Sequence, residues 1–135
     1  MRMLFHAHSG LRYLVLLMGL ISLVFFAYGL ATKRPVDKRV RIIGSSFVGM
    51  LDLQVLLGIC LAFTWPVVDG RIWTHMVTML LAAGLAHALL VVNRKRPNPG
   101  YALPLAAVVG ALVLVAIGVV VVLNRNLFAT THLPG

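Results

Sequence analysis

Apolar positions gather into four long runs, approximately residues 8–31, 42–65, 72–93 and 101–123, separated by short polar connections. Each run meets the requirement of about 20 mostly apolar residues for a helix, rising 1.5 Å per residue, to cross a bilayer. The expected fold is all-α, a four-transmembrane-helix up-down bundle forming a single integral membrane domain over residues 1–135. The short connections make consecutive helices antiparallel neighbours. Pro35, Pro66, Pro97 and Pro99 fall in the connections, where they stop helices. Pro104 falls within the first turn or so of the fourth helix, where a missing N–H costs little.

Composition sharpens this picture. The chain is 61% hydrophobic and 11% charged, whereas soluble domains carry about a quarter charged residues. A net charge of +9 would suggest nucleic acid in a soluble domain. Here the basic residues cluster between apolar runs, so the expected partner is anionic lipid and not nucleic acid. The first connection, "TKRPVDKRVR", sets Lys33, Arg34, Lys38, Arg39 and Arg41 against Asp37. The third, "NRKRPNPG", adds Arg94, Lys95 and Arg96, while the second, "WPVVDGR", has Arg71 offset by Asp69. The positive-inside rule then puts the first and third connections in the cytoplasm, with both termini outside, as in a multi-pass protein of a bacterial inner membrane. The first run follows Met1-Arg2 as a secretory signal would, but it is too long for an h-region and runs straight into a basic cluster, so it reads as a retained span. The single cysteine, Cys60, excludes an intrachain disulfide and is expected to be a small buried residue. Trp65, Trp73 and Tyr101 stand at predicted helix ends, where amphipathic rings favour the headgroup layer.

Small residues supply packing surfaces. Ala102, Ala106, Gly110 and Gly118 form one stripe in the fourth run, and Ala82, Gly84, Ala86 and Ala88 form overlapping small-xxx-small pairs in the third. Such stripes serve helix packing, a flat porphyrin or a partner subunit alike. The fourth run has no ionisable group between Tyr101 and Arg125 and reads as structural wall.

Ionisable groups within the spans are the functional candidates: His6, His8, Arg12, Asp52, His75 and His87, with Gln54 as a polar neighbour. At 1.5 Å per residue, His8 lies about 16 Å and His75 about 14 Å to the outer side of the midplane. The first and third helices are diagonal neighbours across the core, so two imidazoles at matching depth could clamp a haem iron from both faces. Arg12, four residues past His8, shares its face; it would pair with a propionate or, without a cofactor, snorkel to the headgroups. His6 is about 200° around the helix from His8, so one of the two is a candidate ligand and the other meets water or headgroups. His8 is preferred, and the competing reading of "HAHSG" is a polar helix start in the interface. Asp52 falls at the midplane, with His87 about 4 to 5 Å to its cytoplasmic side. With Gln54 nearby, this pair reads as a structural hydrogen bond, a step in a proton path or one wall of a quinone pocket. His87 lies about 120° around the helix from His75, which separates the two sites. His132, in the tail after the last helix, is expected to be exposed to solvent.

"FHAHSGLRYLVLL", "LDLQVLLGICL" and "RIWTHMVTMLLAAGLAHALLVVNRKR" together resemble small bacterial four-helix membrane proteins of the cytochrome b-like kind, including the SirB-like and CopD-like families. The spaced histidines of the third helix are also similar to the small-membrane-protein type of protoporphyrinogen oxidase, although Met76 and Val77 stand where that enzyme has a lysine close after its histidine. The resemblance implies haem b held by His8 or His6 together with His75. The leading expectation is an electron-transfer component linked to a quinone pool, a subunit rather than a stand-alone enzyme, working with a larger redox complex or as a homo-oligomer. The alternatives are a cofactor-free accessory or assembly subunit of a larger membrane complex and a small proton-coupled carrier.

Overall fold

The computed structural model describes residues 2–125 and residue 127; His132 lies outside the described residues. Among the described residues there are four helices: α1 (Arg2–Ala31), α2 (Lys38–Thr64), α3 (Gly70–Lys95) and α4 (Ala102–Ala116), the last continuing as a π-helical stretch over Ile117–Val122. All four are long and apolar enough to cross a membrane.

α2 and α3 begin ahead of their apolar runs because their N-termini are capped by polar groups. Asp37 Oδ1 accepts from the Arg39 N–H at 2.9 Å and Asp69 Oδ1 from the Ile72 N–H at 3.0 Å, so α2 and α3 begin ahead of their apolar stretches. Lys33 takes a left-handed conformation (φ 51°) and lets the Arg34 N–H reach back to the Gly29 carbonyl, closing α1. Asn93 clasps Gly100 through two 3.1 Å hydrogen bonds across the third connection.

Each of α1 and α3 packs against both α2 and α4, leaving α1 and α3 diagonal to each other. His8 on α1 lies at Gly58 of α2, while Phe26 lies near Gly44; His75 on α3 lies at Gly118, while Leu85 lies at Gly110. The start of each helix therefore meets the end of its neighbour. Val15, Phe26, Phe47, Leu51 and Val108 fill the core, with Ala82, Ala86, Ala107 and Ala111 buried where backbones approach closely. At Gly19 an added Cβ would lie 2.7 Å from a Leu112 methyl, and at Gly29 it would run into the Tyr101 ring.

Three sequence expectations need correction. Tyr101 is not a headgroup anchor: it is 4% exposed, wedged over Gly29 beside Phe25, and its hydroxyl donates to the Pro35 carbonyl at 3.0 Å. Cys60 is exposed, because its position on α2 faces away from the core. Ala102, Ala106, Gly84 and Ala88 are exposed as well; of the expected stripes Ala82, Ala86 and Gly118 are buried and Gly110 is covered by Leu85, joined inside by Ala83, Ala107 and Ala111.

Candidate functional site

The start of α1, the end of α2, the start of α3 and the end of α4 enclose a cavity of about 160 Å³, with His8, Arg12, Gln54, Gly58, His75 and Arg125 in its wall. It lies at the end of the bundle opposite the two basic connections. Its other walls are largely apolar, with Val15, Leu51, Met79, Val115 and Val119 towards the core.

The two histidines expected to face each other do so. Their ring centroids are 6.5 Å apart and their planes nearly perpendicular, at 87°. His8 Nδ1 lies 3.1 Å from the Gln54 backbone carbonyl, and His75 Nδ1 lies 3.1 Å from the Gly118 carbonyl. A carbonyl oxygen only accepts, so each Nδ1 carries the proton and donates it. In neutral imidazole that leaves each Nε2 with its lone pair free to accept or to ligate. Histidines that bind metals are oriented in this way, through the ring nitrogen that does not face the metal.

The neighbouring helices are shaped to receive these rings. Gly58 stands one turn beyond Gln54, and a Cβ there would sit 2.9 Å from His8 Cε1, so the bare backbone makes room for the ring. Gln54 Nε2 in turn donates to the His8 carbonyl at 2.7 Å, latching α1 and α2 in both directions. The amide's Oε1 is buried without a hydrogen-bond partner among the described residues. Gly118 belongs to the π-helical stretch at the end of α4, where carbonyls run out of ladder partners. The fourth helix is therefore more than a wall: its backbone orients His75.

Arg12 is 7% exposed. Its guanidinium donates to the Tyr13 hydroxyl at 3.2 Å and lies 5.0 Å from that ring's centroid. It stays within the bundle beside the cavity instead of extending to the headgroups. Arg125, not among the sequence candidates, joins the same wall just past α4. His6 is exposed, with its ring edge-on to Phe5, on the side of α1 away from the cavity.

Asp52 and His87 meet, with Oδ2 and Nε2 at 2.7 Å, but outside the cavity, where their side chains are 45% and 51% exposed. Gln54, grouped with them in the sequence reading, belongs with His8. Residues two apart on a helix point about 200° away from each other, so Asp52 and Gln54 cannot share a face.

The donor set suits haem. Two imidazoles joined through Nε2 to one metal put their centroids roughly 6 Å apart, allowing about 2 Å for each metal–nitrogen bond, close to the observed 6.5 Å. Arg12 and Arg125 supply guanidinium groups of the kind that bind carboxylates bidentately. No group of three or more His, Cys, Asp or Glu side chains is placed to hold a metal among the described residues. A cavity near 160 Å³ is comparable to engineered ones, of about 150 Å³, that admit a benzene ring; a whole tetrapyrrole would need the partly open side as well. Comparison with family models, with curated proteins and with solved structures finds no match to this chain.

Proposed function

We propose that this chain is a haem b-binding, cytochrome b-like electron-transfer protein: an up-down bundle of the bacterial inner membrane with its basic connections in the cytoplasm and both termini outside. The observation that carries the reading is the pair of facing imidazoles, each held by a backbone carbonyl through Nδ1 so that both Nε2 lone pairs are left for a metal. His8 and His75 would hold the iron through Nε2, and Arg12 and Arg125 would supply cations for the propionates.

Bound there, haem supplies one-electron redox chemistry, its potential tuned by ligand identity, hydrogen bonding and burial. The chain's own contribution is to fix both imidazole tautomers, to line the core side of the site with aliphatic side chains, and to place two cations beside it. A membrane-soluble quinol is the proposed electron donor class, and the acceptor lies on the outer side, the end at which the cavity sits. The excess of basic residues in the first and third connections supports that orientation.

Difference spectra of the purified protein loaded with haem b test the proposal. Reduced wild-type protein is expected to show Soret and α bands of a low-spin, bis-imidazole haem. His8→Ala and His75→Ala should each abolish that low-spin signature, and His6→Ala should leave it intact. Absence of the bands from wild-type protein refutes the haem reading; bands unchanged in both alanine variants refute the ligand assignment.

A further inference from the structure

The Asp52–His87 pair is in an unusual place. Ionisable residues in a span almost always face the bundle interior or a wet cavity. This pair lies near the middle of α2 and about two thirds of the way along α3, about half exposed, and neither residue lines the cavity. Two other features share its side of the molecule. Taking 100° per residue, Ser45, Gly49 and Leu56 fall within about 60° of Asp52 on α2, and Leu80, Gly84 and Val91 within about 60° of His87 on α3. Val48 and Ala83, rotated the opposite way, are buried, so these arcs turn outward. Gly49 and Gly84 have nothing within 4 Å of where a Cβ would stand, whereas the buried glycines Gly19, Gly29 and Gly118 are each covered by a side chain of another helix.

We propose that this face is the interface between two copies of the chain, related by a two-fold axis along the membrane normal. The proposal rests on the helices crossing a membrane and not on haem. A two-fold axis of this kind keeps each residue at its own depth and sets α2 of one copy opposite α3 of the other, as an isologous contact requires. Asp52 of one copy then stands level with His87 of the other, and the reverse, so two half-exposed pairs close into a four-membered polar cluster shielded from lipid. The same operation fits the surface shape. Leu56 lies four residues and Gly84 three residues to the same side of the pair, at about 6 Å and about 4.5 Å, so the 56%-exposed Leu56 of each copy meets the open Gly84 of the other. Gly49 meets Val91 in the same way on the cytoplasmic side. A second copy is the occupant that symmetry guarantees to carry the complementary charge at the matching depth.

The test is stoichiometry in lipid. Fluorescently labelled full-length protein, reconstituted in phosphatidylcholine–phosphatidylglycerol vesicles under dilute conditions, is followed by single-molecule photobleaching. Wild-type protein is expected to bleach in two steps. Gly84→Leu and Gly49→Leu fill space that is open in the single chain, so helicity should be retained while self-association falls at least tenfold. Asp52→Asn should weaken it as well. Wild-type protein that bleaches in one step at all densities overturns the proposal. So does a dimer that survives both leucine substitutions, and so does association that needs a different membrane subunit to be added.

Discussion

His8 illustrates how much a single side chain depends on what its neighbour lacks. Its Nδ1–H reaches a backbone carbonyl on α2 because Gly58 presents no side chain there. Gly58→Ala should push the imidazole off the Gln54 carbonyl and, on the proposed haem reading, lower haem affinity about tenfold, the usual scale for losing an outer partner of a metal-binding histidine; titration of the protein with haem b measures it. Ser22 predicts the opposite sign. Its hydroxyl is fully buried with no hydrogen-bond partner among the described residues, so Ser22→Ala should leave stability unchanged or raise it by up to about 1 kcal/mol, read by denaturant unfolding in detergent. At this scale the sequence was partly legible. Helical phase and depth were enough to separate His8 from His6 and to set it level with His75. The same rule, applied to Asp52 and Gln54, would have kept them apart. Gly58 and Gly118 were hidden because a glycine's role depends on what crosses it from another helix, and Arg125 because it lies beyond the last apolar run.

Among the elements, the ends carry most of the specific chemistry. Two of the chain's three acidic residues, Asp37 and Asp69, are spent on the N-termini of α2 and α3, leaving Asp52 alone within a span. Tyr101 ties the start of α4 to the connection after α1. Tyr101→Phe keeps the ring over Gly29 but loses the bond to the Pro35 carbonyl, so unfolding in detergent should become easier by about 1 kcal/mol without change in the haem spectrum. The apolar runs located the four helices because a span must be apolar along its length. The starts of α2 and α3 lie ahead of their apolar runs because caps, and not hydropathy, decide where those helices begin. The small-residue stripes were legible only in part, in Ala82, Ala86, Gly110 and Gly118, because sequence shows that such a stripe exists but the neighbour it faces is set by the rotation of the whole helix.

For the whole molecule, the charge distribution leads to a prediction independent of any cofactor. In a Cys60→Ser background, a cysteine introduced at Val36 or at Pro97 should be shielded from an impermeant maleimide in intact cells, and one at Val67 should be labelled; the reverse pattern would invert the proposed orientation. The bundle itself was readable because four spans joined by short links have few ways to pack. The exposed position of the Asp52–His87 pair was not, since depth along a helix says nothing about which side of the bundle a residue occupies. One consequence follows from how the histidines are held. His8 stands on α1 and is fastened to α2; His75 stands on α3 and is fastened to α4. Each ring thus belongs to one helical hairpin, and the two hairpins work as the jaws of a caliper. The gap between the rings is set by the joint between the hairpins, so a tilt there opens or closes the site without turning either imidazole.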